Sequence, residues 1–257
     1  MNYQIIKIPI LPLSMVNAFI IKYTGGCILV DSGVPNTEHK VEKTLIQHQL
    51  TFTDIQYIII THAHIDHAGN AKKLQELSYS KKSGAKIIAH EGDLPYYQGK
   101  KEMTFCATSW FAKLFFKTGI VSKHYPRFTP DILLKGDQSF HIPNLDIKVI
   151  PTIGHTQGSI SVLVDSNKVI AGDLVASGIL IGGIMFNNKP KRPPFEENPQ
   201  MVSQQLKNLI SRGCEQFYLG HGGPLNDKQV NNHIRNLDKL DKLDKLDKLD
   251  NLDNLDN

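Results

Sequence analysis

The feature that most constrains this chain is the segment THAHIDHAGN at 61–70. Three histidines and one aspartate stand within six positions, directly after the apolar run IQYIII, which predicts a buried strand. If the backbone leaves that strand nearly extended, His62 and His64 project to the same side, because side chains alternate along a strand. These two imidazoles can hold one metal ion, and Asp66 and His67 beyond the bend can face a second. A polar turn is the alternative, but it does not explain four such residues in six positions.

Three further candidate ligands follow predicted strands in glycine-rich loops. His155 lies in PTIGHTQGSISV, Asp173 in VIAGDLV and His221 in FYLGHGGP. Glycine lets the backbone approach a metal ion closely. Taken alone, Asp173 could be a turn residue and each histidine a capped loop residue, but their shared placement at strand ends favours one joint site. Neutral imidazoles with open positions suit zinc, and mixed histidine and aspartate ligation also tolerates iron or manganese.

Hydrophobic periodicity and turn residues predict an α/β protein. Strands come mostly in pairs, with helices between the blocks, so we expect stacked layers with a substantial antiparallel sheet. The predicted elements are a hairpin over 17–33, helices over 37–50, 68–77 and 198–213, and strands over 55–60 and 85–90.

Two segments depart from this pattern. Residues 91–131 are rich in aromatic side chains and are interpreted as an insertion that is helical in its later half. Residues 236–257 repeat LDK and then LDN, and a period of three moves each leucine about 60° around a helix, so no lasting apolar stripe forms. We therefore expect one domain over 1–235, followed by a low-complexity tail that is disordered or transiently helical.

Composition limits the class of partner. The formal net charge is +4, and since the tail from Leu237 holds four lysines and seven aspartates, the positive charge belongs to the body. That charge suits an anionic substrate but is too diffuse to predict nucleic acid. The three cysteines are widely spaced, which favours a reducing compartment. The N-terminus lacks a basic signal region, and no apolar run reaches the roughly 18 residues of a membrane helix. We expect a cytoplasmic protein that acts on a small molecule, without a membrane partner.

The motifs HxHxDH, GHTxGS, GD after a strand and a terminal GHG, in this order, resemble the metallo-β-lactamase fold superfamily of hydrolases. The early VDSG at 30–33 is also similar to a strand-end motif of that family. The resemblance runs from about Asn17 to Pro224 and is specific for the fold rather than for the substrate. It implies a four-layer αββα sandwich, in which two mixed β-sheets pack face to face and helices flank them.

The resemblance also implies how the seven candidate ligands divide between two ions. The first ion would be held by His62, His64 and His155, and the second by Asp66, His67 and His221. Asp173 would bridge both ions, and Asp31 would support the ligand loop from behind. The long interval between His67 and His155 departs from compact members of the family, and the aromatic insertion accounts for it.

The expected chemistry is hydrolysis. Two adjacent zinc ions can lower the pKa of a shared water from about 15.7 toward neutrality, and the bridging hydroxide would attack an ester, thioester or lactone. Asp66 can accept or relay the proton, so it is the candidate catalytic residue. This chemistry is similar to that of the glyoxalase II or acyl-homoserine lactonase branches. A short helix-capable stretch and the repeat follow His221 where glyoxalase II carries a helical domain, so we expect the glyoxalase II branch less. The alternatives are a mononuclear iron persulfide dioxygenase and a phosphodiesterase or ribonuclease.

Three groups of residues outside the motifs leave their roles open. The aromatic insertion could form a lid for an apolar or acyl-bearing substrate, the core of a helical hairpin, or a homodimer contact. Lys189, Lys191 and Arg192 could meet an anionic group or form a solvated loop. The remaining histidines, among them His90 and His233, lie mostly in polar contexts and are expected at the surface.

Overall fold

The computed structural model of the chain describes residues 3–79, 84–142, 145–179 and 185–253. The strands are β1 (Tyr3–Pro9), β2 (Asn17–Tyr23), β3 (Gly26–Val30), β4 (Ile55–Ile59), β5 (Lys86–His90), β6 (Ile132–Leu134), β7 (Gln138–Ile142), β8 (Leu145–Pro151), β9 (Ile160–Val164), β10 (Lys168–Ile170), β11 (Ala176–Ser177), β12 (Pro190–Lys191), β13 (Gln216–Tyr218) and β14 (Leu225–Asn226). The helices are α1 (Glu38–Gln47), α2 (Ile65–Ala68), α3 (Ala71–Ser78), α4 (Leu94–Tyr97), α5 (Trp110–Lys117), α6 (Pro199–Ser211) and α7 (Asp227–Asp253).

The first sheet has the strand order β1-β2-β3-β4-β5-β6. β1, β2 and β3 pair antiparallel, and the predicted hairpin turns at Gly25 and Gly26, whose φ angles are +103° and +153°. From β3 to β6 the pairing is parallel. The carboxyl ends of β3, β4 and β5 therefore lie together at one edge.

The second sheet has the order β14-β13-β10-β9-β8-β7, with β10 and β13 parallel and the other neighbours antiparallel. Backbone hydrogen bonds join the two sheets at the edge where β4 and β13 end. The amide of Ile160 donates to the carbonyl of Thr61 (2.9 Å), and that of Asn17 donates to Gly220 (2.8 Å). The loops that follow these strands are thereby brought to one place.

Three apolar clusters show the layer order. The side chains of β2 alternate: Ala18 and Ile20 pack toward α1 and α3, whereas Phe19 and Ile21 pack toward the second sheet. The outer face of the second sheet packs against α6 and α7. Helix, sheet, sheet and helix follow in that order, which confirms the αββα fold predicted from the sequence.

Helix α6 begins as predicted, with Pro199 in its first position and the Asn198 side chain accepting a hydrogen bond from the Met201 amide (2.9 Å). The prediction for 68–77 was less accurate, because the structure divides that region into the short α2 and the longer α3.

The tail belongs to one continuous helix, α7, which includes the expected domain boundary between 235 and 236. Val230, Ile234 and Leu237 pack toward α6, and Ser203 and Lys207 of α6 bind Asp238. In the structure, α7 continues through the tail as far as Asp253. Residues 254–257 lie outside the described part of the chain.

The insertion at 91–131 joins β5 to β6. It contains α4 and α5, separated by irregular backbone, and α5 is the helix expected in its later half. Ser109 caps α5 by accepting a hydrogen bond from the Ala112 amide (3.2 Å). Among the described helices, none combines the length and the apolar character that a membrane span requires.

Candidate metal centre

The seven candidate ligands meet at the edge where the two sheets are joined. The loop after β4 carries four of them, at 62–67, and the loop between β8 and β9 carries His155. Asp173 and His221 follow β10 and β13, the parallel pair of the second sheet. Strand ends from both sheets therefore supply one cluster of side chains.

The first group is a tripod of imidazoles. The Nε2 atoms of His62 and His155 and the Nδ1 atom of His64 lie 3.0–3.1 Å from one another. Nitrogens that share a tetrahedral zinc ion at about 2.0–2.1 Å stand roughly 3.3 Å apart. The tripod therefore fits a single cation.

The second group contains Asp66, His67 and His221, whose ligand atoms lie within 4.8 Å of one another. Asp66 Oδ2 is 3.4 Å from His221 Nε2 and 3.8 Å from His67 Nε2. His67 and His221 are buried, whereas a quarter of the Asp66 side chain is exposed.

Asp173 reaches both groups. Its Oδ1 is 3.4 Å from His67 Nε2, and its Oδ2 is 2.9 Å from His221 Nε2 and 3.8 Å from His155 Nε2. This approach requires glycine at 220, because a Cβ there would lie 2.3 Å from Asp173 Oδ1. One carboxylate can thus serve two ions.

Hydrogen bonds behind the ligands direct their lone pairs into the centre. His67 Nδ1 donates to Asp31 Oδ2 (2.8 Å), and His221 Nδ1 donates to the Met15 carbonyl. The Thr61 hydroxyl donates to Asp31, so it accepts from His62 Nδ1 (3.1 Å). Each Nε2 is then an acceptor, as metal ligation requires.

The protonation states also suit cation binding. Burial lowers the pKa of His62 and His155 well below the ordinary value and that of His64 to about 4, so the tripod is neutral. Burial also acts to lower the pKa of His67, but the nearby carboxylates, first Asp173, raise it well above the ordinary value. The centre therefore favours positive charge beside its carboxylates.

Among the buried side-chain atoms that lack a hydrogen-bond partner in the described part of the chain, His67 Nε2 and Asp173 Oδ1 face each other across 3.4 Å. Buried polar atoms are rarely left without a partner. A cation between them would satisfy both, so the residues present fit the metals implied by the motif.

Sequence reasoning missed Asp93, which joins the two loops of the tripod. Its Oδ2 accepts hydrogen bonds from the Ala63 amide and the Thr156 hydroxyl (both 2.9 Å), and its Oδ1 accepts from the Gly158 amide (2.8 Å). Burial raises the pKa of Asp93 to about 6. Its position just after β5, beside strands that already carry ligands, was the only available sequence signal.

An apolar pocket opens over the centre, and Asp66, Asp173 and His221 lie at its base. The Phe105 ring stacks on His64, with centroids 5.1 Å apart, and meets Phe195 edge-on at 5.1 Å. The apolar walls include Leu11, Met15, Phe105, Phe115, Val121 and Phe195.

The aromatic insertion contributes side chains both to the pocket and to the core. Phe105 and Phe115 line the pocket, whereas Tyr97 belongs to the buried core between the first sheet and its helices. Trp110 is 77% exposed and belongs neither to the pocket lining nor to the buried core.

The expectation for the remaining histidines was wrong in two cases. His90 and His233 are buried, with exposures of 6% and 2%. His90 Nδ1 accepts a hydrogen bond from the Gly92 amide (3.1 Å), and His233 lies on the face of α7 that packs on the body. Periodicity along α7 explains the second case, since 230, 233, 234 and 237 share one helix face.

The basic loop does not face the centre. Arg192 binds the buried carboxylate of Glu196 (Nε to Oε2, 2.7 Å), and Lys189 lies over the Phe186 ring at 4.2 Å. Lys189, Lys191 and Arg192 are not among the described residues that line the pocket over the centre.

A protein family model and several known proteins match this chain in sequence. The family model described as the metallo-beta-lactamase superfamily matches residues 11–250. The metallo-beta-lactamase fold-containing protein ST1585 of Sulfurisphaera tokodaii is 26% identical over 214 residues, 82% of this chain and 74% of that protein. The Probable metallo-hydrolase YflN of Bacillus subtilis is 26% identical over 227 residues, 82% of this chain and 80% of that protein.

Solved structures share the fold. The crystal structure of ST1585 from Sulfolobus tokodaii has a TM-score of 0.65 at 20% identity and covers 92% of this chain and 86% of its own. The metallo-beta-lactamase family protein TTHA1429 from Thermus thermophilus has a TM-score of 0.64 at 20% identity, covering 94% and 79%. Because the family match includes every loop of the metal centre, the chain belongs to the metallo-beta-lactamase superfamily.

Proposed function

We propose that this protein is a hydrolase that uses two zinc ions to cleave an ester, thioester or lactone. The observation that carries the proposal is the position of Asp173, which approaches ligand atoms of both groups. The similarity to a Probable metallo-hydrolase supports the same reaction class.

The two ions, when bound, would lower the pKa of water to supply a nucleophile and would polarise the carbonyl group of the substrate. The chain's own residues hold and orient them. His62, His64 and His155 would hold one ion, Asp66, His67 and His221 the other, and Asp173 both. Asp31 and the Met15 carbonyl keep the ligand rings in the required tautomer.

Asp66 is the proposed acid–base residue. Its side chain is a quarter exposed at the base of the pocket, whereas Asp173 is almost fully buried. Asp66 can therefore take a proton from the attacking water and pass it to the leaving group.

The pocket walls support an apolar acyl group. The aromatic rings of Phe105, Phe115 and Phe195 line the pocket together with Leu11 and Met15. Binding an acyl chain there would exclude bulk water from the reacting carbonyl, which strengthens the electrostatic interactions of the centre.

The test combines metal analysis of the purified protein with a hydrolysis screen of acyl esters, thioesters and lactones. We expect about two zinc ions per chain and turnover that rises with acyl chain length. One iron per chain, with oxygen uptake on a glutathione persulfide, would instead establish a dioxygenase. Cleavage of phosphodiesters, with salt-sensitive RNA affinity, would establish a nuclease.

A further inference from the structure

A second pocket adjoins the pocket over the metal centre and shares Ile65, Phe105 and Val121 with it. Its other walls come from two parts of the insertion, at 96–103 and 122–127. We refer to these two adjoining pockets together as the cleft; its lining is apolar over the metal centre and carries charged and polar side chains beyond Phe105.

The polar end of the cleft is positively charged. Lys101, Lys123 and Arg127 line it beside a single carboxylate, Glu102. None of these three cations forms an ion pair within the described part of the chain. Residues 94–130 hold six lysines and arginines and one acidic residue, although the whole chain has a net charge of only +4. Positive charge is thus concentrated where the cleft ends.

The wall that carries these cations is held against the metal loop. The Tyr125 hydroxyl donates a hydrogen bond to the carbonyl of Ala63 (2.8 Å), between two tripod histidines. The Arg127 side chain packs against the backbone of Gly99. A Cβ at position 99 would lie 2.2 Å from Arg127 Nε, so this contact requires glycine. The Phe128 amide donates to the carbonyl of Tyr97 (3.0 Å). The cationic end of the cleft is therefore part of the packed structure, at a fixed place relative to the centre.

We propose that the substrate is an amphipathic ester or thioester that carries an anionic group, bound by Lys101, Lys123 and Arg127. The apolar part of the substrate lies against Phe105 and Phe115, and the carboxylate or phosphate lies beyond Phe105. The placement of the scissile bond rests on the function proposed above, whereas the anion site rests on the charge and shape of the cleft.

Kinetics on matched thioesters test the proposal. The substrates share one acyl chain and differ in the leaving thiol, which carries a carboxylate, a phosphate or a neutral amide. We expect kcat/KM to be higher for both anionic thioesters, mainly through KM, and the carboxylate and phosphate arms identify the preferred anion. In Lys101→Ala/Lys123→Ala the anionic-to-neutral ratio should fall about tenfold, and added salt should reduce the wild-type ratio.

The control is Lys113→Ala/Lys117→Ala, which removes the same charge from α5, outside the lining of the cleft. The control should keep the wild-type ratio. An equal fall in both double variants, or no preference for anionic thioesters in the wild type, would overturn the proposal.

A binding measurement separates this proposal from the hydrolase function. The probe is the S-methylated form of the phosphate-bearing thiol, titrated calorimetrically into the purified wild type and both double variants. Weaker binding in the Lys101→Ala/Lys123→Ala protein alone supports the anion site, even if no ester is hydrolysed. Equal binding by all three proteins overturns the anion site while leaving hydrolysis of neutral thioesters intact.

Discussion

At the end of β3, Asp31 adopts a left-handed backbone conformation with φ +62°. Aspartate and asparagine tolerate this conformation better than most residues. The turn brings its carboxylate beneath the metal loop, where it accepts hydrogen bonds from the Thr61 amide (2.8 Å) and from His67. A single buried charge thus orients two parts of the ligand loop.

Asp31→Asn should keep the fold, because asparagine has the same shape and tolerates the same φ. The His67 ring would lose its charged acceptor, so zinc affinity should fall about 10- to 100-fold. Zinc titration of the metal-free protein measures this change. Asp165→Asn, which alters another left-handed aspartate (φ +55°) in the turn between β9 and β10, is the matched control. Equal losses in the two variants would refute a specific role for Asp31.

Asp173→Ala removes the carboxylate that approaches both ligand groups. We expect the purified variant to lose most of its bound metal and nearly all turnover, since neither group keeps a complete set of ligands. Metal content by mass spectrometry and kcat on the best substrate provide the measurement. A variant that keeps both ions and its activity would exclude the shared role of Asp173.

At the scale of elements, the tripod depends on the alignment of two loops that belong to different sheets. Asp93, just after β5, accepts hydrogen bonds from both loops through three donors. Such a brace is invisible in local sequence because its partners lie 30 to 65 positions away.

Asp93→Asn would turn an amide group toward at least one of those donors. We expect the free energy of unfolding to fall by about 2 kcal/mol, the cost of a buried donor without a partner. Metal affinity should fall as well, because the tripod loses its alignment. Urea unfolding and zinc titration measure the two effects. Glu91→Gln, at a neighbouring exposed carboxylate, is the control and should change neither the free energy of unfolding nor the zinc affinity. Comparable losses in Glu91→Gln would argue against the role of Asp93 in aligning the two loops.

The packing of α7 places a titratable group in the interior. Burial, with a smaller contribution from the Arg192 charge, lowers the pKa of His233 to about 4. The unfolded chain takes up this proton near the ordinary histidine pKa of about 6.5, whereas the folded chain does not until about 4. Stability should therefore be lost as the pH falls from about 6.5 to 4, by roughly 1–3 kcal/mol from this residue.

His233→Gln removes that proton uptake. Between pH 6.5 and 4.5 its melting temperature should fall less than that of the wild type. Both proteins keep the same metal centre, so the difference isolates His233. His39→Gln, at an exposed histidine, should follow the wild-type curve. Parallel curves for all three proteins would show that His233 does not contribute.

At the scale of the whole molecule, the insertion exposes several large apolar side chains to solvent. Trp110, Leu114, Phe116 and Ile120 are all exposed on or just after α5. Trp110 and Leu114 lie one helical turn apart on α5, and exposed apolar side chains in this arrangement are typical of an interaction site. A homodimer contact, one of the uses of the insertion considered from the sequence, would bury these side chains.

We therefore predict a molecular mass near twice the 28.8 kDa of one chain, measured by light scattering after gel filtration. Trp110→Glu/Leu114→Glu should return the protein to one chain, because buried charges oppose association. Ile46→Glu, at an exposed position on α1, should leave the mass unchanged. A wild-type mass of one chain would exclude the dimer.

Local sequence was sufficient to predict the fold and the side chains that the structure brings together at the candidate metal centre. The residues at 62–67 are neighbours along the chain, and the alternation of an extended strand already directs His62 and His64 to one side. Strand-end placement and glycine-rich flanks identified His155, Asp173 and His221. Amphipathic spacing and turn residues likewise predicted the layers, because these patterns repeat over a few positions.

Tertiary structure alone decided how these parts work together. The brace by Asp93, the burial of His233 and the cationic end of the cleft depend on contacts between segments that are separated along the chain. The pocket walls are another example, since Phe105 and Phe195 come from separate segments. The sequence determines which side chains are available for chemistry. The burial, alignment and electrostatic environment of those side chains arise from contacts between distant segments.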